Sequence, residues 1–154
     1  MGVEIERKFL VLDDSWKALG QGVLLRQGYL SSALERTVRV RIEGGSATLT
    51  IKGKSAGATR SEWEYLIPLQ DAQDMLDHLC ERPVIEKSRY RIPFDGMLWE
   101  VDEFLGENAG LVVAEIELAT EAQTFARPQW LGEEVTHDAR YFNSSLLRNP
   151  YSRW

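Results

Sequence analysis

Segment after segment of this 154-residue chain alternates apolar and charged residues with a period of two, and within most segments the charged positions carry one sign. The first segment sets Val3, Ile5, Phe9 and Val11 against Glu4, Glu6 and Lys8, with Arg7 the only exception on the apolar side. A period of two belongs to an extended strand, whose side chains point alternately to opposite faces. Two carboxylates at i and i+2 then stand about 6–7 Å apart on one face, a spacing that suits a divalent cation between or beside them.

The same alternation recurs along the chain. Residues 24–30 place Leu25, Gln27 and Tyr29 on one side, and residues 36–42 alternate Val38, Val40 and Ile42 with Thr37, Arg39 and Arg41. After Gly44-Gly45, a hairpin turn, Ala47, Leu49 and Ile51 oppose Thr48, Thr50, Lys52 and Lys54. A small-residue loop over 53–59 leads to residues 60–67, with Trp63, Tyr65 and Ile67 opposite Glu62 and Glu64 and Pro68 as the stop. Residues 71–80 have helical spacing at Ala72, Met75, Leu76 and Leu79. A sixth strand over 84–92 carries Lys87, Arg89 and Arg91, and Pro93 is expected to end it. Asp95-Gly96 turns into a seventh strand with Glu100 and Asp102, and an eighth over 111–118 carries Glu115 and Glu117. Residues 120–125 predict a helical turn capped by Thr120, and 138–147 a C-terminal helix with Tyr141, Phe142, Leu146 and Leu147. Eight strands against two or three short helices predict a mainly β (α+β) fold, an eight-stranded antiparallel sheet that closes or nearly closes, in one domain over residues 1–154.

Composition narrows the chemistry. A formal net charge of −6 argues against a broad basic face for nucleic acid or anionic membrane. No apolar run is long enough for a membrane helix or a signal peptide, so the expected compartment is the cytoplasm. The single cysteine, Cys80, excludes an internal disulfide and a cysteine metal cluster. With only His78 and His137 besides, any metal must be held by oxygen ligands.

The charged positions have two readings. They are the solvated outer faces of an amphipathic sheet, or they converge inside a closed one. Same-sign neighbours along a strand gain nothing on a solvent face, where mixed signs and Thr or Ser are expected. Eight acids and eight bases sorted strand by strand favour the charged interior. Such an interior needs partners: the acids suit hard divalent cations, and the Arg and Lys rows suit a multiply charged anion resembling a polyphosphate.

These same residues resemble the CYTH, or triphosphate tunnel metalloenzyme, superfamily. The resemblance starts at the E-x-E-x-K run Glu4-Ile5-Glu6-Arg7-Lys8. It continues through Val38-Arg39-Val40-Arg41, Thr50-Ile51-Lys52, Glu62-Trp63-Glu64, Glu86-Lys87-Ser88-Arg89-Tyr90, Glu100-Val101-Asp102 and Ala114-Glu115-Ile116-Glu117-Leu118, then Gly132-Glu133-Glu134-Val135-Thr136 and Tyr141-Phe142-Asn143. It covers essentially the whole chain and looks most like the bacterial inorganic triphosphatases.

The resemblance implies a closed eight-stranded tunnel binding a triphosphate and divalent metal, Mg²⁺ or Mn²⁺, with two ions expected. Lys8, Arg39, Arg41, Lys52, Lys87 and Arg89, with Lys54 and Arg60, are then the substrate-binding residues. Glu4, Glu6, Glu115 and Glu117 are the principal metal ligands, and Glu62, Glu64, Glu100 and Asp102 further ligands or orienters. The catalytic set is Lys8, Lys87, Arg41 and Tyr29, with a carboxylate or a lysine of depressed pKa, Lys8 beside Tyr29, as the candidate acceptor of the water proton. The implied reaction is hydrolysis of inorganic triphosphate to pyrophosphate and phosphate. Alternatives are a class IV-type adenylate cyclase, an enzyme of thiamine triphosphate or nucleotides, and a non-catalytic polyphosphate-binding module. A homodimer is a further expectation, through an outward apolar face wider than the helices cover.

Overall fold

The computed structural model describes residues 2–154. Its strands are β1 (Gly2–Val11), β2 (Gly22–Ala33), β3 (Arg36–Glu43), β4 (Ser46–Gly53), β5 (Thr59–Ile67), β6 (Ile85–Phe94), β7 (Met97–Phe104), β8 (Val112–Glu117) and β9 (Leu131–Glu134). Helix α1 (Leu69–His78) follows β5, and a short α2 (Asn143–Leu146) lies near the C-terminus. The strand order is β5-β4-β3-β2-β6-β7-β8-β1, every pairing is antiparallel, and β1 returns to β5 through Glu4↔Arg60 and its neighbours. The eight-stranded sheet is therefore closed, as the alternation predicts.

The ninth strand was not legible in the pattern. β5 covers β1 only from Gly2 to Ile5, which leaves the far half of that edge unpaired. β9 takes it, pairing Phe9↔Glu134 and Val11↔Leu131, with Val135 N–H donating to the Lys8 carbonyl at 2.8 Å. A four-residue strand held by a single neighbour has too short an alternation to stand out.

Four other expectations change. β6 runs through Pro93 to Phe94, because β2 accompanies it only to Tyr90 and Pro93 lies where β7 is its sole neighbour. Residues 120–125 form a turn, closed by Gln123 N–H to the Thr120 carbonyl, and no helix. The C-terminal segment is not one helix over 138–147: a 3-10 turn at Ala139–Tyr141 and α2 are separated by Phe142, whose backbone is extended (φ −69°, ψ 132°). α1 itself begins at Leu69 and ends at His78, two residues earlier at each end than its apolar spacing suggests.

Outside the barrel, α1 lays Ala72 and Leu76 over Val40 and Ala47. Gly28 permits this approach, since a Cβ there would stand 2.9 Å from the Cβ of Cys80. A second cluster, with Phe9, Trp16, Trp99 and Trp130 fully or nearly buried, packs residues 118–131 against the outer wall of β1, β7 and β8. The third lies at one end of the barrel. There Tyr29, Ile85, Phe104 and Val113 meet Tyr141, Leu146 and Leu147 of the C-terminal segment, so apolar packing stops that end.

Candidate active site

The closed sheet turns a strand-by-strand sorting of charge into two arcs. In ring order, β4, β3, β2 and β6 bring Lys52, Arg39, Arg41, Tyr29, Arg89 and Arg91 to one side of the interior. β7, β8, β1 and β5 bring Glu100, Glu115, Glu117, Glu4, Glu6, Glu62 and Glu64 to the other, with Lys8 and Arg60 as the cations among them. Between the arcs lies a cavity of about 390 Å³. It is a box with one basic and one acidic wall, stopped at one end by Phe142, Asn143 and Ser144.

Beneath its floor, every charge is partnered. Asp102 is wholly buried and accepts from Arg89 Nε (2.8 Å) and Nη2 (2.9 Å) and pairs with Lys87 Nζ at 2.7 Å. Burial alone would raise its pKa, but Lys87 and Arg89 hold it far below the usual carboxylate range. Burial pushes Lys87 down to about 7, with Arg89 and Arg41 adding to the effect and Asp102 opposing it. Lys87 also donates to Asn143 Oδ1 at 2.9 Å.

Higher in the cavity the partners are shared. Lys52 Nζ sits on both oxygens of Glu4 (2.8 and 2.9 Å), and Lys8 Nζ bridges Glu6 (2.7 Å) and Glu115 (3.1 Å). Burial opposes the charge on Lys8, but Glu115 and Glu6 outweigh it and hold the ammonium well above the ordinary lysine range. Burial and the hydrogen bond to Glu4 push Glu62 up to about 8, and Glu117 rises through burial and its proximity to Glu4, Glu6 and Glu100.

The basic arc is the complement. Arg39 has one weak bond, to Thr50 Oγ1 at 3.3 Å, and its buried Nε has no partner among the described residues. Arg41 Nε donates to the neutral Gln27 Oε1 at 2.9 Å. Burial, with Arg39 and Arg89 nearby, lowers Arg41 to about 9. Desolvated guanidinium groups without carboxylates are donors prepared for an external anion.

Residues 2–151 match the CYTH domain. The chain belongs to the CYTH family. It is 54% identical over 154 residues to an inorganic triphosphatase of Acetivibrio thermocellus, covering 100% of this chain and 99% of that one. A second inorganic triphosphatase, of Nitrosomonas europaea, is 40% identical over 148 residues, 93% of this chain and 95% of its own. A crystal structure of an inorganic triphosphatase superposes with a TM-score of 0.66 at 37% identity, covering 93% of this chain and 96% of that one.

Within the CYTH barrel, the structure brings most of the sequence-predicted residues together: Glu4, Glu6, Lys8, Tyr29, Arg39, Arg41, Lys52, Arg60, Glu62, Glu64, Arg89, Glu100, Glu115 and Glu117 all line the cavity. Lys87 and Asp102 do not reach its surface and lie in the wall. Lys54 is exposed and outside the lining. Lys8 is the reverse of a lysine with depressed pKa, because it has two carboxylates and Lys87 has one shared with an arginine. Reading by charge alone passed over Gln27, Thr136 and Asn143. Gln27 had a signal, an amide between Leu25 and Tyr29 on one strand face; Thr136 and Asn143 lie outside the alternating segments, and only the family resemblance pointed to them.

Among the described residues no three acids already converge on one point, because Lys52 and Lys8 stand among them. The donors nonetheless fit a hard cation. They are all carboxylate oxygens, and Glu62 and Glu117 are held toward their protonated forms by burial and by neighbouring carboxylates, whose repulsion a divalent ion would relieve.

Proposed function

We infer that this protein is a metal-dependent inorganic triphosphatase that hydrolyses tripolyphosphate to pyrophosphate and phosphate inside its barrel. One observation carries the reading: the interior sets two arginines that have no carboxylate partner among the described residues, Arg39 and Arg41, opposite an arc of carboxylates short of cations. A metal-complexed polyphosphate matches both. The full-length likeness to named inorganic triphosphatases points to the same substrate.

Arg39, Arg41, Lys52 and Arg89 line the cavity as binders of phosphate oxygens, with Lys8 and Arg60 reaching in from the acidic side. Lys8 acts as a fixed cation and not as a proton acceptor, since Glu6 and Glu115 hold its proton. Lys87 and Asp102 act from within the wall, where they fix Arg89 in a two-pronged geometry. Tyr29 stands beside Arg39, its cross-strand neighbour. Glu4, Glu6, Glu115 and Glu117, supported by Glu62, Glu64 and Glu100, suit one or two Mg²⁺ or Mn²⁺ ions, whose charge when bound offsets that of the phosphates and acidifies a water. The chain's own contribution is positioning and fixed positive charge where charge develops on the transferred phosphoryl group. The protein works as one domain over residues 1–154 in the cytoplasm, free of nucleic acid and membrane, in keeping with its net charge of −6.

The test is phosphate and pyrophosphate release from tripolyphosphate, ATP and thiamine triphosphate in parallel, with Mg²⁺, with Mn²⁺ and with chelator. Rapid cation-dependent turnover of tripolyphosphate is expected. Cyclic nucleotide from ATP, or tight binding without turnover, would assign the barrel to another reaction or to none.

A further inference from the structure

The orientation of one side-chain amide in the closed end of the cavity is forced by its neighbours. Arg41 carries only donors, and its Nε–H is 2.9 Å from Gln27, so Gln27 must turn Oε1 toward it. Gln27 Nε2 then faces the other way and donates to Asn143 at 3.1 Å. That partner must present its oxygen. Independently, Lys87 Nζ donates to the same Oδ1 at 2.9 Å, and a lysine is a donor there whether charged or neutral. Two separate donors thus pin Asn143 Oδ1 into the wall, from a glutamine that is itself fully buried and a lysine 1% exposed.

The consequence lies on the opposite side of the amide. Asn143 lines the cavity together with Phe142 and Ser144, and its Nδ2 has no hydrogen-bond partner among the described residues. Both N–H groups of Nδ2 are therefore available to the cavity that Arg41 also lines. We propose that Asn143 Nδ2 is a phosphate-binding group: the C-terminal segment supplies a neutral double donor to an oxygen of the tripolyphosphate end that lies deepest in the barrel. This rests on the triphosphatase reading and deepens it. The C-terminal segment then does more than stop the barrel. It completes the anion site with a donor that adds no charge to a wall where burial, with Arg39 and Arg89 nearby, already lowers the affinity of Arg41 for its proton. The relay Arg41–Gln27–Asn143–Lys87 also means that the amide and the guanidinium take up their positions together.

The experiment compares Asn143→Asp and Asn143→Ala with the unaltered protein. Tripolyphosphate binding is measured calorimetrically in chelator, turnover is measured with Mg²⁺, and a melting curve checks folding. Asn143→Asp keeps an oxygen for Gln27 and Lys87 but presents a second oxygen to the anion, and a loss of about a hundredfold or more in affinity is expected. Asn143→Ala removes one hydrogen bond to a charged group, worth about ten- to a hundredfold. The side-chain ¹⁵NH₂ signal of Asn143, assigned by through-bond spectra of the unaltered protein, must also move when tripolyphosphate is added, which needs no variant at all. An unmoved signal, or an Asn143→Asp protein that folds and binds tripolyphosphate as tightly as the unaltered one, overturns the proposal while leaving the triphosphatase reading intact. An unaltered protein that neither binds nor hydrolyses tripolyphosphate overturns both.

Discussion

The wall around Asp102 and the mouth around Glu62 contain the same residue types and are solved in opposite ways. In the wall, one acid has two bases on it and is 0% exposed; in the mouth, Glu62 shares Glu4 with Lys52 and is pushed up to about 8. The first arrangement is complete as the chain folds. The second keeps like charges close and awaits a cation. A charged interior can thus be divided by satisfaction and access rather than by residue type: groups partnered within the wall, such as Asp102 and Lys87, are scaffold, and cavity-lining groups left without enough opposite charge mark where a ligand belongs.

The largest effect should come from breaking the satisfied half. Asp102→Ala leaves Lys87 buried without an anion and Arg89 with only its 3.3 Å contact to Glu100, and a loss of about 3–5 kcal/mol in urea unfolding is expected. Activity should fall only as the folded fraction falls or as Arg89 moves. On the ligand side, Arg41→Ala removes a guanidinium that no carboxylate of the fold uses, so stability should change little. Turnover should drop by about 10²–10³, the usual effect of deleting one preorganised donor. If Arg41→Ala instead unfolds the protein and Asp102→Ala spares it, the division between scaffold and ligand site is drawn in the wrong place.

That division is what the sequence does not spell out. Alternation put Glu62 and Asp102 on inward faces equally, and it was right about both. Depth along the barrel depends on register, and register follows from long-range pairing: Arg89 opposite Asp102 and Lys52 opposite Glu62 are facts of β6–β7 and β4–β5 alignment. The two arcs were hidden for the same reason, since sign alternates irregularly along the chain and sorts only in ring order. The spacing of Tyr141, Phe142, Leu146 and Leu147 predicts one helix for the closing C-terminal segment. Phe142 breaks it by turning extended into the cavity end, a tertiary demand that local propensity does not contain.

The mouth should show its incompleteness through pH. Glu62 has a folded pKa of about 8 against an ordinary 4.5, so the folded state binds the extra proton. Its contribution is present in full below pH 4.5 and is lost as pH rises through about 8. In chelator, Glu62→Gln should therefore melt higher than the unaltered protein at pH 8.5 and level with it below pH 5. Mg²⁺ should stabilise the unaltered protein more at pH 8.5 than at pH 6, because at the lower pH it must displace that proton. A Mg²⁺ effect indifferent to pH would remove Glu62 from the cation site.

The smallest effect sharpens the comparison from outside the barrel. Arg7, the one charged residue on the apolar face of β1, forks onto Glu134 of β9 through Nε (2.8 Å) and Nη2 (2.5 Å). Glu134 also accepts from Thr136 Oγ1 at 2.6 Å, and that oxygen accepts from the Lys8 backbone N–H at 3.0 Å. The bond from Arg7, with Thr136 assisting, holds Glu134 down at about 2, against an ordinary 4.5. The stabilisation is therefore present above pH 4.5 and is lost as pH falls through about 2. Because both side chains are about a quarter exposed, screening leaves Glu134→Gln a cost of about 1–2 kcal/mol at pH 7, read by urea unfolding. The cost should shrink steadily from pH 4.5 downward. Since β9 serves only the half of the β1 edge that β5 leaves bare, tripolyphosphate turnover should stay within a few-fold of the unaltered protein; a large loss would mean that the lever through Thr136 and Lys8 places this pair among the groups that hold the substrate.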